Sequence, residues 1–294
     1  MFDVDAQGKD VTWRDKTYYF FLEFLPHTRF WDKLIAYQKF FKHHRRLPKG
    51  SGSLEDLLFR IKTSDEILKA ERQFTSDKEF VKLFVSSVIG DQFNVPTLAV
   101  LRSPEEVDDY VFEKDTVVKP THASGRVLFV GNAEKVDRDR IKSWFDLNYY
   151  LVGREANYRN LTPKVIVEPL IFGRKDNEDI KFFCINGVVK LVHCHFDRGE
   201  NHTGRMYDRD WNDLNASLGR PVSSKHMPRP TGLRNMITQA EVLAKYFSFV
   251  RIDMYYNEEN GQFFVGEITH CHGNANERFS SSDAERRVSK LLFD

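Results

Sequence analysis

The chain has 294 residues, of which 41% are hydrophobic, and it is long enough for about two domains with a sizeable core. Its 44 Lys and Arg residues nearly balance 43 Asp and Glu residues, so the formal net charge is +1. This balance excludes a protein that binds nucleic acid or an anionic membrane through its overall charge, so any attraction to anions must be local. We therefore expect no nucleic-acid partner.

Three cysteines, Cys184, Cys194 and Cys271, are too few and too odd in number for a disulfide framework, which indicates a reducing compartment. The first ten residues contain no apolar run typical of a signal peptide, and no later stretch approaches the ~20 apolar residues of a membrane span. The sequence predicts a cytoplasmic protein without a transmembrane segment, and it leaves the oligomeric state open.

The N-terminal region is predicted to be helical and locally basic. Between Arg29 and Lys49 there are seven Lys or Arg residues and one acid, Asp32, so this region carries +6 and the remainder about −5. Two interpretations stay open: a solvated helix face with long cationic side chains, or a docking surface for an acidic partner. Apolar residues recur every three or four positions over 17–47, which predicts a helix with a buried stripe: Phe20, Phe21, Phe24, Leu25, Phe30, Trp31, Leu34, Tyr37, Phe40 and Phe41.

Helices and strands follow one another along the rest of the chain. Helices are predicted after the Ser53 cap, after the Ser76 cap as far as Gly90, from Ser103, over 137–151 and over 231–246. Strands are predicted over 116–119, 126–130, 164–168, 180–185, 188–195, 247–256 and 262–269, with Asn186-Gly187 as a hairpin turn and the last two strands paired. This order predicts an α+β or mixed α/β enzyme.

The last predicted hairpin brings acidic residues together. Side chains alternate along a strand, so Arg251 and Asp253 share one face. Asp253 and Glu267 converge if they pair, for which we predict a three-residue loop over 259–261 with Gly261 in the left-handed conformation. Two carboxylates beside an arginine form an oxygen site suited to Mg²⁺ held with substrate phosphates. Acidic residues on an ordinary solvent-facing strand are the alternative interpretation.

A strand that ends at Lys119 leads into a loop of small residues. The backbone N–H groups around Ala123, Ser124 and Gly125 could cradle phosphates, with Lys119 as a point charge. The stretch matches neither the Walker-A motif nor the dinucleotide fingerprint. An ordinary hairpin loop is the alternative.

Several blocks in the same order resemble the ATP-grasp superfamily and, more specifically, the TupA-like family, named for teichuronopeptide biosynthesis. The resemblance runs from about residue 55 to 280 and is carried by Asn148–Glu155, Tyr158, Pro163–Glu168, Asp179–Gly187, Asp197-Arg198, Asn201-His202, Tyr207–Trp211, Phe249–Asp253 and Gly266-Glu267. It implies an α+β ATP-grasp fold in which two α+β subdomains enclose ATP, with a helical N-terminal extension. The domains implied are the extension at 1–52, the N-terminal part of the core at 53–110, the lid subdomain at 111–171 and the C-terminal subdomain at 172–294.

The resemblance also implies residues that bind the nucleotide. It assigns ATP phosphates to Lys78, Lys119 and Lys181, under the loop of His122, Ala123, Ser124 and Gly125. It also implies a hinge that holds adenine and is formed by Glu168, Pro169, Leu170 and Ile171. The acid that commonly holds ribose is not in clear register, and Asp176 is the candidate.

For the metal and the chemistry, the resemblance implies Asp253, Glu267 and Thr269 as Mg²⁺ ligands. It also implies that Arg251 and Lys181 are the catalytic cations. Family members often carry Asn where this chain has Thr269, a weaker neutral ligand, so Asn274 and Asn276 are alternative ligands and the number of metal ions stays open. The substrate residues implied are His195, at the end of the predicted strand 188–195, and four residues of the polar loop that follows it: Arg198, His202, Arg205 and Tyr207. A merely structural loop is the alternative.

Two His-Cys-His triplets, at 193–195 and 270–272, invite comparison with zinc sites. Alternation sends Cys194 to the face opposite its flanking histidines, and neither triplet has a CxxC or HxxxH spacing. Zinc is therefore disfavoured.

The resemblance implies an ATP-dependent carboxylate–amine ligase that uses ATP and Mg²⁺ and passes through an acyl phosphate. Its partners would be a small-molecule or polysaccharide-linked carboxylate, such as a uronic acid or amino acid, and an amine, in making or modifying a capsular or cell-wall polysaccharide. Three alternatives remain: a kinase on the same fold, a glycosyltransferase that uses Asp208-Arg-Asp210, and a non-enzymatic ATP-binding scaffold.

Overall fold

The computed structural model describes residues 22–50, 52–174, 178–197 and 201–293. Helices combine with two antiparallel sheets, so the predicted α+β class is confirmed. The α-helices are α1 (Arg29–His44), α2 (Leu54–Thr63), α3 (Ala70–Ser76), α4 (Phe80–Val88), α5 (Pro104–Asp109), α6 (Arg138–Lys142), α7 (Tyr150–Gly153), α8 (Leu233–Ala244) and α9 (Ser282–Phe293). The strands are β1 (Ala99–Leu101), β2 (Thr116–Pro120), β3 (Leu128–Val130), β4 (Val165–Pro169), β5 (Glu178–Ile185), β6 (Val188–Phe196), β7 (Thr203–Asp208), β8 (Phe249–Asn257) and β9 (Gln262–Thr269).

Short 3₁₀ turns connect these elements at Asp65–Leu68, Asp91–Phe93, Ala133–Lys135, Ala156–Tyr158, Ile171–Gly173 and His272–Ala275. The described chain divides into two compact units. The first takes residues up to 35, 67–83 and 95–174, and the second takes 36–66, 84–94 and everything from 178 onward. The boundaries of the four domains expected from the sequence stay predictions. None of the helices described is long and apolar enough to cross a bilayer.

The first unit is built on a four-stranded sheet in the order β1-β4-β2-β3. Val117 of β2 lies opposite Glu168 of β4, and Lys119 lies opposite Ile166. One face of this sheet packs into a core of fully buried side chains that includes Val118, Val165 and Val167. The buried face anchors β2 and β4, and so fixes the positions of the polar side chains that these two strands carry.

The second unit is built on a five-stranded sheet in the order β7-β6-β5-β8-β9. Val250, Ile252 and Met254 of β8 are fully buried on one face. Because side chains alternate, Arg251 and Asp253 lie on the other face, as predicted. The predicted hairpin at Asn186-Gly187 is confirmed, since both residues have positive φ values, 49° and 79°, as a two-residue turn of this kind requires.

In the hairpin of β8 and β9, the predicted pairing is present but the turn and the register differ from the prediction. Asp253 does lie opposite Glu267, but Asn257 pairs with Gln262, so the turn has four residues and the predicted three-residue loop is wrong. A bulge restores the register, because Asp253 pairs with Glu267 while Met254 pairs with Val265, which leaves Gly266 as the extra residue. Gly261 has the predicted positive φ, 68°.

The N-terminal helix differs from the prediction in extent and in the side it buries. Residues 17–21 lie outside the described part of the chain, and residues 25–28 interrupt the helix at Pro26, which lacks an N–H donor. The predicted buried stripe is wrong, because of its α1 members only Phe40 is fully buried, whereas Phe30, Leu34, Tyr37 and Phe41 are exposed. Periodicity identifies a stripe but does not indicate which side of a helix faces the core.

The side of α1 that faces the core is partly polar. The buried Asp32 carboxylate accepts hydrogen bonds from Tyr150 and Arg159. Arg154, which is also fully buried, donates to the backbone carbonyls of residues 22, 25 and 26. The block at 148–155 thus holds the segment before α1 within the first unit, a role that sequence spacing did not indicate.

Three other local predictions need correction. Asp77, not Ser76, caps α4, because its Oδ1 accepts the Glu79 and Phe80 N–H groups at 2.8 and 3.3 Å. The helix predicted over 137–151 is two short helices, α6 and α7. The stretch 203–208, interpreted as part of a polar loop, is the edge strand β7.

Candidate functional site

In the first unit, the loop after β2 lies against Lys78. The Lys78 ammonium donates to the carbonyl of Ala123, and its backbone N–H donates to the Thr121 carbonyl at 3.0 Å. Gly125 has a φ of 75°, a conformation that favours glycine, and so lets the chain turn back at the end of the loop. Lys78 and Ala123 are therefore in contact, and their role in binding phosphates stays a prediction.

His122 is buried within this loop, and its Nε2 donates to the Leu147 carbonyl at 3.2 Å. Burial, with a further contribution from Lys78, lowers the pKa of His122 to about 4. The imidazole is therefore neutral at pH 7, and it supports the loop rather than adding a charge to it.

Glu168 on β4 joins two lysines. Its Oε2 accepts from Lys119 Nζ at 2.8 Å, and its Oε1 lies 2.5 Å from Lys82 Nζ. Burial acts to raise the pKa of Glu168, but the two ammonium groups outweigh it and hold the pKa below its ordinary value. Lys82 was not predicted as a site residue, although its position four residues after Lys78 was a signal that the two lie on the same side of the chain.

The other predicted hinge residues come directly after Glu168 in the chain. Pro169 ends β4, the Leu170 N–H donates to the Asp115 carbonyl at 2.7 Å, and Ile171 begins a 3₁₀ turn. Asp176, the predicted ribose ligand, lies outside the described residues.

In the second unit, Asp253 is the centre of a charged cluster. Its Oδ1 accepts from Arg251 Nε at 2.6 Å, and its Oδ2 accepts from Arg251 Nη2 at 2.7 Å and from Lys181 Nζ at 2.6 Å. Lys181 also pairs with Asp179 on the same strand. Strand register explains the cluster, because Lys181 lies opposite Asp253 and Asp253 lies opposite Glu267. Asp179 is a member that sequence reasoning missed, although it stands two residues before Lys181 on the same face.

Arg251 is held in its charged form. Burial acts to lower its pKa, but the Asp253 carboxylate, with Glu267 and Asp179, raises the pKa above its ordinary value. Its Nη2 also donates to Thr269 Oγ1 at 3.2 Å. The guanidinium is thus fixed by three side-chain oxygens beside the two carboxylates.

The donor set on this face fits magnesium. Asp253 and Glu267 offer carboxylate oxygens and Thr269 a hydroxyl, and Mg²⁺ prefers oxygen ligands of this kind. Asp253 Oδ1 accepts one hydrogen bond from a side chain, which leaves a lone pair for a metal. Glu267 is only half-buried, so its carboxylate can be reached. Of the alternative amide ligands, Asn274 Oδ1 already accepts from Lys62, another residue not predicted.

Three imidazoles form a hydrogen-bonded row, in which His193 and His195 lie on β6 and His202 lies just before β7. His202 Nε2 lies 3.0 Å from His195 Nδ1, His195 Nε2 lies 3.3 Å from His193 Nδ1, and His193 Nε2 lies 3.2 Å from Ser217 Oγ. Burial, with Lys181 next, lowers the pKa of His193 to about 3, and burial, with His193 next, also lowers the pKa of His195. His193 and His195 are therefore neutral at pH 7, and this part of the row offers hydrogen bonds without charge.

The other predicted substrate residues have different surroundings. Arg205 lies on β7, where its guanidinium binds both carboxylate oxygens of Asp213 and the Ser223 carbonyl. The Tyr207 hydroxyl accepts from the Met227 N–H at 2.9 Å, and its ring stacks on Trp211. The predicted loop location is wrong for both residues. Arg198 lies outside the described residues.

The geometry also bears on the zinc site and on the glycosyltransferase motif considered from the sequence. In the parts of the chain that the structure describes, no group of three or more His, Cys, Asp or Glu side chains is arranged to hold a metal ion. Asp208, from the Asp-x-Asp match, accepts the backbone N–H groups of Asp210 and Asn212 at 2.9 and 2.8 Å. Its carboxylate therefore stabilises a turn.

A sequence profile described as TupA-like ATPgrasp matches residues 55–292, which is most of the chain. No curated protein matches this chain. Among solved structures, the chain is similar to the ATP-grasp ligase PsnB complexed with a minimal precursor, with 14% identity, a TM-score of 0.41, and coverage of 76% of this chain and 60% of that one.

It is also similar to a D-alanine–D-alanine ligase from Bacillus anthracis complexed with ATP, with 15% identity, a TM-score of 0.38, and coverage of 74% and 62%. A third similar structure is that of the D-cycloserine synthetase DcsG, with 16% identity, a TM-score of 0.39, and coverage of 81% of this chain and 77% of that one. The chain spans about 60% of the length of the first of these structures.

Proposed function

Because this chain belongs to the TupA-like ATP-grasp family, we propose that it is an ATP-dependent carboxylate–amine ligase. It would transfer the γ-phosphoryl group of ATP to a carboxylate and release ADP. An amine would then attack the acyl phosphate, with loss of phosphate and a proton, to form an amide. We propose a uronic acid or an amino acid as the acid, within the synthesis or modification of a surface polysaccharide.

The observation that supports the proposal most directly is the cluster around Asp253. A carboxylate is a poor electrophile until it is phosphorylated, and phosphoryl transfer needs its dispersed negative charge to be neutralised. The sheet of the second unit offers two fixed cations, Lys181 and Arg251, next to the carboxylates of Asp253 and Glu267. A magnesium ion, held by those carboxylates and Thr269, would supply further positive charge to the phosphate oxygens.

The remaining cations would bind the nucleotide. Lys78 and Lys119 would contact phosphates, with the loop at 122–125 supplying backbone N–H groups, and 168–171 would hold the adenine. Lys119 and Lys82 are already paired with Glu168, so binding ATP through Lys119 would exchange one ion pair for another. Arg251, with its charged form stabilised, would bind the oxygens of the acyl phosphate.

The histidine row is our choice for the substrate side of the site. It lies on the sheet that carries the charged cluster, and His193 is directly opposite Lys181 across β5 and β6. Neutral imidazoles can donate to or accept from the hydroxyl and carboxyl groups of a uronate or an amino acid. Of this row, His195 and His202 are half-buried and can be reached by a substrate.

The proposal is tested with Mg-ATP, a panel of uronates, nucleotide-linked uronates and amino acids, and hydroxylamine in place of the amine. Hydroxylamine is unprotonated at neutral pH and traps an acyl phosphate as a hydroxamate. We expect ADP, free phosphate and a hydroxamate for the correct acid. Arg251→Met should lose this activity, and the exposed Arg234→Met, on α8 of the same unit, is the matched control.

Two results would count against a ligase. A phosphorylated product without free phosphate or hydroxamate would indicate a kinase. A chain that gains thermal stability from Mg-ATP but turns over no ATP with any acid would be a non-enzymatic ATP-binding scaffold.

A further inference from the structure

The exposed side of α1 carries a row of large apolar side chains. Phe30 is 69% exposed, Leu34 49%, Tyr37 47% and Phe41 52%. Single exposed apolar residues are normal on a protein surface, but a continuous row of four on one helix is not.

The row follows from the helical repeat. At 100° per residue, these four side chains fall within an arc of about 60°. Ile35, Ala36 and Phe40, which are nearly inaccessible, project from the other side of the helix. The helix is therefore apolar on its solvent side as well as on its buried side.

Cations lie next to the apolar row. Lys33 and Lys42 on α1, followed by Arg45 and Lys49, are all exposed. The one acid between residues 29 and 49 is Asp32, and its carboxylate is buried and bound by Tyr150 and Arg159. The solvent side of this segment therefore presents positive charge and apolar rings, with no acidic residue among them.

From this arrangement we propose that α1 binds the surface of an anionic membrane. The helix would lie in the plane of the interface, with Phe30, Leu34, Tyr37 and Phe41 inserted among the lipids and the lysines at the level of the headgroups. A helix of 16 residues is about 24 Å long, which suits a helix that lies on a bilayer rather than one that crosses it.

Charge complementarity selects this occupant. Anionic lipids attract each exposed lysine or arginine near the surface, and the long side chains can extend from an inserted helix to the headgroups. Arg46 is paired with Asp56, but Lys33, Lys42, Arg45 and Lys49 are exposed, whereas the whole chain carries only +1, so the attraction is local to this segment. The inference does not depend on the proposed ligase activity.

The test is sedimentation of the full chain with vesicles of phosphatidylcholine alone or mixed with phosphatidylglycerol. We expect binding to the anionic vesicles that weakens as salt is added. Replacing both Phe30 and Phe41 by Ser should lower the partition coefficient at least about 10-fold. Lys33→Gln and Lys42→Gln should each lower it about fivefold at low ionic strength.

Matched controls remove an exposed apolar side chain and an exposed positive charge at positions away from α1. Val111→Ser, at a valine that is 79% exposed, and Lys114→Gln, at an exposed lysine, should leave vesicle binding unchanged. Circular dichroism confirms that each variant is folded.

Three outcomes would overturn the proposal. The first is absence of binding to anionic vesicles at low salt, and the second is binding that the Phe30 and Phe41 double variant does not reduce. The third is a dimer or a complex with an acidic protein that this variant disrupts, while vesicles are ignored, because the occupant would then be a protein.

Discussion

Asp253 and Glu267 lie opposite each other on β8 and β9 because of a single extra residue, Gly266, in β9. Without the bulge, the register set by the four-residue turn would place Asp253 opposite Gly266. A Cβ at Gly266 would come within 2.6 Å of the Tyr255 ring, so glycine suits this position. The pairing of the two carboxylates thus depends on a local irregularity in the ladder.

The first prediction concerns these two carboxylates. Asp253→Asn and Glu267→Gln should each reduce ADP formation at least about 100-fold, the scale of losing one electrostatic contributor to a transition state. Addition of EDTA should have the same effect on the unchanged protein. Glu258→Gln, in the exposed turn of the same hairpin, should leave turnover unchanged. Near-normal ADP release by either site variant would show that the metal site is elsewhere.

A second prediction tests the packing around the histidine row. Gly204→Ala would place a Cβ 2.4 Å from His193 Nε2 and 2.7 Å from Ser217 Oγ, so we expect it to lower the free energy of unfolding by about 1–3 kcal/mol. Gly131→Ala is the control, because a Cβ there meets nothing within 4 Å. Equal urea midpoints for the two variants would contradict the packing described.

A third prediction concerns the pH dependence of stability at Glu55. Burial raises the pKa of this carboxyl from an ordinary 4.5 to about 7, with Glu285 adding to the effect. A raised pKa in the folded state means that stability is full below the unfolded pKa and is lost as the pH rises through the folded one. Glu55→Gln should therefore gain about 3 kcal/mol over the unchanged protein at pH 8 and little at pH 4. Urea unfolding at both pH values measures the difference, and a constant difference would refute the explanation.

Glu168 should behave in the opposite way. Because its folded pKa lies below the ordinary value, its ionised form stabilises the protein above that value, and this stability is lost as the pH falls through the folded pKa. Glu168→Gln should cost about 1–3 kcal/mol at pH 7, since it leaves Lys82 and Lys119 without their carboxylate. The cost should shrink in acid. Urea unfolding across the acidic range measures it, and a cost that stays constant as the pH falls would contradict the prediction.

The histidine row gives a spectroscopic prediction. His193 should stay neutral between pH 5 and 8, because burial lowers its pKa to about 3. Nitrogen NMR shifts of this imidazole should not move over that range in the folded protein, and the same nuclei should titrate in urea. A folded-state titration near pH 6.5 at His193 would contradict its burial.

The sequence by itself determined the family, the α+β class and most of the strands. Strand alternation was enough to place Arg251 and Asp253 on one face, and Asn186-Gly187 was enough to place a hairpin. These features depend on residues close together in the chain, where backbone geometry controls the outcome.

Only the tertiary structure decided which contacts these elements make. Sequence periodicity marked the apolar residues of α1 but not the side that faces the core, which is set by packing against residues more than a hundred positions away, such as Tyr150 and Arg159. Lys181, which donates to Asp253, and Lys82 and Lys119, which pair with Glu168, likewise come from distant strands and helices. Local patterns carry no information on such pairings, because the free energy that selects them comes from burial and ion pairing in the folded chain.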